Sequence, residues 1–260
     1  MLVRRSDSHR GHFALPATLA LLLSAFAPVA GAEETSLDAA PPELTPIAAT
    51  YSASMDRGLS LNGSARRTLE QQADGSWLYE FNVDSFIADI RESVEFRWED
   101  GRVVPLKYRY RLNGMLVKNR SRALNFNQAI QSVSGSYDGT SFTTELPDQA
   151  LDPLGFQLQL RQDLKAGKTT MDYTVADKDD FEHDRFAVVG EELQTTSLGE
   201  LNTIKVEKVR EEDSKRETLM WFAPELDYLL VRLLQTEPDG SRYEVRLDEA
   251  SRENAQAAVQ

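Results

Sequence analysis

Alternation with a period of two dominates this chain and points to antiparallel sheet. Trp77, Tyr79, Phe81 and Val83 fall on one side of an extended segment, with Glu80, Asn82 and Asp84 on the other. Val94, Phe96 and Trp98 alternate with Glu95, Arg97 and Glu99. Tyr108, Tyr110 and Leu112 alternate with Lys107, Arg109 and Arg111, and Tyr243, Val245 and Leu247 with Glu244, Arg246 and Asp248. Successive strand side chains point to opposite faces, so each run has one dry and one wet face. Asp-Gly pairs at Asp74-Gly75, Asp100-Gly101, Asp138-Gly139 and Asp239-Gly240 supply the positive-φ residues of tight hairpins. Runs joined this way form a meander.

One segment breaks the pattern. Residues 151–167 read LDPLGFQLQLRQDLKAG. Asp152 suits a cap, Pro153 the first helical position and Gly167 the exit. Phe156, Leu160 and Leu164 recur at helical spacing, with Leu154 and Leu158 beside them, so a helix is expected over Pro153–Ala166. Beyond it, Met171–Val175, Phe186–Thr195, Leu201–Arg210, Glu217–Phe222, Tyr228–Thr236 and Arg242–Leu247 are strand candidates. Phe86-Ile87-Ala88 interrupts the alternation and reads as a bulge or turn. The expected fold is all-β: a mainly antiparallel meander forming a curved sheet or open barrel, with one short helix packed on it.

The N-terminus carries an address. Arg4, Arg5 and Arg10 precede an apolar run over Phe13–Ala30, and Ala30-Gly31-Ala32 is a small-x-small cleavage signal. This is the pattern of a secretory signal peptide. Pro16 and Pro28 break a run that a spanning helix would need unbroken for about 20 residues. Arg4-Arg5 is followed by Ser6-Asp7-Ser8, which favours an ordinary basic leader over the twin-arginine route. The expected organisation is a signal peptide over 1–32, a flexible proline-bearing leader over 33–46, a single β-rich domain over 47–249 and a polar tail over 250–260. The expected location is the periplasm, without a membrane anchor after cleavage.

Composition narrows the chemistry. The chain has 260 residues, no cysteine and a net charge of −13. There is no thiol nucleophile, disulfide or thiolate metal ligand, and a core must stabilise the fold alone. The net charge repels nucleic acid and anionic lipid headgroups. His183 is the one histidine beyond the leader, so a zinc site built on several imidazoles is excluded. The acidic run Asp177–Asp184 resembles a calcium loop in composition. Counting from Asp177, however, an EF-hand would need glycine where Glu182 stands and glutamate where Val188 stands. It reads as a solvated loop between strands. No nucleophile elbow or phosphate loop occurs. No catalytic residue, metal or cofactor is assigned, and the protein is expected not to be an enzyme.

Three stretches carry a family resemblance: GRVVPLKYRY, LDPLGFQLQLRQDLKAG, and LGELNTIKVEKVREEDSKRETLMWFAPELDYLLVRLLQTEPDG. They resemble the domain of unknown function 3108 family of exported bacterial proteins, over roughly Ala48–Leu247. The resemblance implies an exported β-rich domain and carries no catalytic set. The layout is also distantly similar to the periplasmic lipoprotein carriers, whose curved sheet wraps an apolar cavity.

The candidate ligand-binding residues are Trp77, Tyr79, Phe81, Phe96, Trp98, Tyr108 and Tyr110, which share one face of three strands. They either line a cavity or form the core between sheet and helix. The leading expectation is a non-enzymatic periplasmic protein binding an apolar small molecule or lipid-like chain. The alternatives are a module binding another envelope protein, and a cell-wall or glycan hydrolase. Trp221, in the expected strand Glu217–Phe222, is expected to be buried and structural.

Overall fold

The computed structural model describes residues 43–56, 60–115, 117–210 and 214–251, with side chains of β2 from residue 62 onward. The expected signal peptide lies outside the described residues, as does the expected polar tail after Ser251. Fourteen strands form one antiparallel sheet: β1 (Ile47–Asp56), β2 (Ser60–Gln71), β3 (Trp77–Ser85), β4 (Ala88–Glu99), β5 (Arg102–Gly114), β6 (Arg120–Asn127), β7 (Ser132–Tyr137), β8 (Thr140–Glu145), β9 (Thr170–Asp177), β10 (Asp180–Thr196), β11 (Gly199–Lys208), β12 (Glu217–Ala223), β13 (Leu229–Thr236) and β14 (Arg242–Ala250). A helix, α1 (Gly155–Lys165), crosses between β8 and β9. Among the described residues no helix is long and apolar enough to cross a membrane.

The spatial order is β8-β7-β6-β5-β4-β3-β2-β1-β14-β13-β12-β11-β10-β9. Two meanders, β1–β8 and β9–β14, are thus joined where the first strand pairs with the last. The sheet curls without closing. Its two edges approach each other through the segment before α1: Leu151 bridges Val175, and Arg122 on β6 donates to Asp177 at 2.9 Å and to the Ala176 carbonyl.

The Asp-Gly signals act as turns. Asp100-Gly101 and Asp138-Gly139 take positive φ at both residues, as a two-residue hairpin requires. Gly75 and Gly240 take positive φ in slightly longer loops. Phe86 and Ile87 form the β3–β4 turn, and Ala88 opens β4.

Three local details differ from the sequence reading. The acidic run is mostly strand: only Lys178 and Asp179 form the turn, and Asp180–Asp184 belong to β10. Lys178 takes the left-handed conformation there without a glycine, so the turn signal was weak. The helix starts at Gly155, two residues later than expected, because Pro153 and Leu154 form a turn closed by Asp152. Leu44 and Thr45, within the stretch read as leader, are held by the domain. Leu44 is buried and Thr45 donates to Asp227 at 2.8 Å.

Candidate binding lumen and outer arginine face

The inner face of the curled sheet has two ends. The turns β2–β3, β4–β5 and β12–β13 share one end, and α1 fills it. Leu154, Leu158, Leu160 and Leu164 are fully buried, and Phe156 stacks on Phe186 at 5.3 Å. Helical polar groups are tied to the surrounding wall. The Gln159 Oε1 accepts from Val103 N–H at 2.9 Å, Gln157 Oε1 accepts from Arg67 at 3.0 Å, and Asp163 accepts from the Tyr173 hydroxyl at 2.7 Å. Arg161 reaches Asp227 at 2.6 Å, and Lys165 reaches the same carboxylate at 2.6 Å. A helix anchored on so many sides is an interior plug.

Asp152 sets where that plug begins. Its Oδ1 accepts from Leu154 and Gly155 N–H, at 2.9 and 2.8 Å. Its Oδ2 has no partner among the described residues, and a Cβ on Gly155 would come within 2.4 Å of it. Any side chain at 155 would therefore displace the Asp152 carboxylate. Burial pushes the Asp152 carboxyl up to about 7, with the two N–H donors opposing.

Toward the other end the inward side chains change character. On β1, Ile47, Ala49 and Tyr51 are buried, then Ala53 and Met55 are only half-buried. On β3, Trp77 and Tyr79 are buried, then Phe81 and Val83 half-buried. On β4, Phe96 and Val94 give way to Glu92 and Ile90, and on β5 Tyr108 gives way to Tyr110 and Leu112. Beyond the junction, β13 passes from Val231 to Leu233, and β14 from Leu247 to Val245. An apolar wall continues past the point where the helix stops covering it.

A polar belt marks the change. Arg67 on β2 lies opposite Phe81, Glu92 on β4 opposite Tyr110, and Arg122 on β6 opposite Tyr110. Arg67 bonds the Tyr79 hydroxyl and packs over the rings of Tyr79 and Phe81, at 5.4 and 4.8 Å to the centroids. Glu92 accepts from the Tyr108 hydroxyl at 2.6 Å. Burial raises the Glu92 carboxyl above its ordinary value, opposed by the Tyr108 hydrogen bond and by Arg67 and Arg122. The same burial, with Glu92 beside it, holds Tyr108 well above the phenol range. Nε of Arg67, Nε of Arg122 and the Tyr51 hydroxyl are buried without a partner among the described residues.

The seven aromatic candidates share the inner face, as alternation requires, but not one depth. Trp77, Tyr79, Phe96 and Tyr108 belong to the buried core. Phe81, Trp98 and Tyr110 are partly buried, with Phe81 and Tyr110 at the belt. Sequence reasoning missed the belt itself, although Glu92, Arg67 and Arg122 all break the inward apolar pattern and were visible as such. His183 and Asp184 point to opposite faces. His183 is exposed beside the Thr174 hydroxyl, whereas Asp184 pairs with Lys208 at 2.6 Å.

Trp221 is buried, but from the outside. Its indole N–H donates to Glu192 at 3.1 Å, and Arg232 and Lys205 lie over its ring at 4.4 and 5.2 Å. A second outward feature lies on β3–β6. Arg91 and Arg111 are direct cross-strand partners, and Arg109 lies two residues from Arg111 on the same face. They border a depression of ≈ 510 Å³, which also takes in Glu80 and Ser121.

Residues 50–248 match the family described as Protein of unknown function (DUF3108). The chain belongs to the DUF3108 family. Among solved structures, this DUF3108 chain is similar to the β-barrel-like protein of domain of unknown function DUF1849 from Brucella abortus. The TM-score is 0.56 at 12% identity, covering 80% of this chain and 98% of that one. At that identity the likeness is one of fold. No curated protein matches the DUF3108 chain.

Proposed function

We propose that this protein is an exported, non-enzymatic carrier that holds an apolar small molecule or lipid-like chain in the half of its lumen that α1 leaves uncovered. The observation that carries the reading is the drop in burial along each inward face. Met55, Val83, Ile90, Leu112, Leu233 and Val245 point inward yet stay half-buried. Apolar surface left open in a concave wall is where an apolar ligand gains most, at about 25 cal/mol per Å² removed from water. The belt of Arg67, Glu92 and Arg122 forms a polar floor for the end of such a chain. The buried acids nearby have structural partners: Asp152 caps the helix, Glu92 holds Tyr108, and Asp163 holds Tyr173 and Lys168. That supports binding over catalysis. The basic leader and small-x-small cleavage signal support export to the periplasm.

The test combines native mass spectrometry of the purified protein with titration of an environment-sensitive apolar dye. Bound lipid, or saturable dye binding that is displaced by a fatty acyl chain, is expected. Ala53→Trp places a large ring in the open half and should abolish dye binding while thermal stability holds. Absence of both lipid and dye binding in the folded protein would sink the carrier reading.

A further inference from the structure

The open end of the lumen has an asymmetric rim. The β3–β4 and β5–β6 loops lie side by side there, with Met115 N–H donating to the Ile87 carbonyl at 3.1 Å. Each loop presents a large apolar side chain to solvent: Phe86 is 89% exposed and Met115 is 78% exposed. Adjacent exposed apolar tips of this size have no role in the fold, since neither belongs to the core. They are the kind of feature that marks an interaction surface.

The surroundings of these tips are basic, in a chain with a net charge of −13. Arg91, Arg111, Lys118 and Arg120 are all exposed on the strands and loop beneath them, against the exposed Asp84, Asp89 and Asp138. Arg91 and Arg111 sit directly opposite each other across β4 and β5. Like charges in that position destabilise a sheet. Arg91 is partly relieved by Asp84, and Lys118 approaches Asp138 at 4.0 Å. Arg111 and Arg120 have no carboxylate partner among the described residues. A concavity of ≈ 450 Å³ lined by Arg111, Asn113, Lys118, Arg120 and Asp138 adjoins the arginine depression. Elsewhere the same rim is mixed in charge: Asp177, Asp179 and Asp180 flank Lys178 at the β9–β10 turn, and Glu237 before β14 pairs with Arg216 at 3.0 Å.

We propose that this corner docks the protein on an anionic lipid surface, with Phe86 and Met115 entering the headgroup layer and Arg91, Arg111, Lys118 and Arg120 meeting lipid phosphates. Charge complementarity selects the occupant. Clustered arginines and lysine beside two apolar tips suit a surface that is anionic at the boundary and apolar beneath it. The overall charge thus misleads: repulsion from anionic headgroups holds for the molecule as a whole and reverses locally at this corner. Docking here sets the lumen mouth beside the lipid. The surface is distinct from the lumen wall, so its test is separable from that of the carrier reading.

The experiment is co-sedimentation of the chain from Glu33 onward, which contains the whole compact unit spanning residues 40–260. Vesicles of phosphatidylcholine alone are compared with vesicles containing phosphatidylglycerol. Binding is expected to the anionic vesicles only, and to fall as salt rises above about 0.1 M, where the screening length is about 10 Å. Arg111→Glu with Lys118→Glu should weaken partitioning by at least about tenfold. Phe86→Ser with Met115→Ser should weaken it several-fold. Both variants should keep the wild-type circular dichroism spectrum, and the charge variant should keep its dye binding. Lack of vesicle binding by the wild type, binding indifferent to salt, or equal binding by the folded charge variant would each overturn the proposal. Loss of dye binding with vesicle binding intact would instead remove the carrier reading alone.

Discussion

The two halves of the lumen are built from the same strands, yet only one is filled. In the helix-filled half, inward residues such as Tyr51, Phe96 and Leu158 are closed off completely. In the open half, the next inward residues on those strands remain half-exposed. The sequence is apolar in both. What differs is the partner: α1 supplies a second layer at one end, and nothing in the described residues supplies one at the other. A sheet face needs an opposing layer to be buried. Fold stability therefore concentrates at the helix end, and the open end is free to serve another use.

The largest effect that can test this contrast is expected at Asp227. Its carboxylate holds Arg161 and Lys165, each at 2.6 Å, and accepts from Thr45. Asp227→Ala would leave a buried guanidinium uncompensated, which typically costs about 3–5 kcal/mol. Chemical denaturation should show that loss, together with release of the chain around Leu44 to proteolysis. Next comes Leu158→Ala, in the plug itself, at about 2–5 kcal/mol. Leu112→Ala in the open half should cost about 1 kcal/mol or less while weakening dye binding. Equal losses from Leu158→Ala and Leu112→Ala would erase the distinction between the halves, and would mean that the open half is packed core.

A subtler contrast is in pH dependence. The Asp152 carboxyl, pushed up to about 7 by burial, starts from an ordinary value of 3.8. The folded state then holds the proton more tightly than the unfolded chain. Its contribution is fully present below about pH 4 and is lost as pH rises toward 7. Asp152→Asn keeps an oxygen for the cap and cannot ionise, so stability should fall less across that window. Unfolding midpoints measured at intervals from pH 4 to 7 would check it. An unchanged slope in the variant would show that another group governs that range.

Much of this was legible because strand alternation and turn chemistry are local. Each expected strand exists, and Asp100-Gly101 and Asp138-Gly139 form tight two-residue turns. Alternation also assigned the faces of β3, β4 and β5 correctly, including the outward arginines. Depth along a strand was not legible: Tyr108 and Tyr110 look alike in sequence, and only the reach of α1 separates them. Register was not legible either, so Arg91 facing Arg111 had to wait for the structure. Trp221 shows a third limit. In ETLMWFAPEL the apolar residues are contiguous: alternation sends Met220 and Phe222 into the inner core and Trp221 to the outer face, and all three are buried. Period counting has no handle on such a run.

The junction of β1 with β14 has a consequence for assembly. The centre of the sheet is made from the two ends of the domain. A chain delivered from its N-terminus exposes β1 first and must keep one of its edges unpaired until the final strand arrives. Contacts so distant in sequence are slow to form, and an unpaired edge invites association with other chains. Folding of this protein is therefore gated by completion of the polypeptide. A chain stopped before Arg242 would hold a complete first meander and a second that lacks β14, with the edges of β1 and β13 both unpaired, and such fragments should be targets for chaperones and proteases rather than smaller working domains.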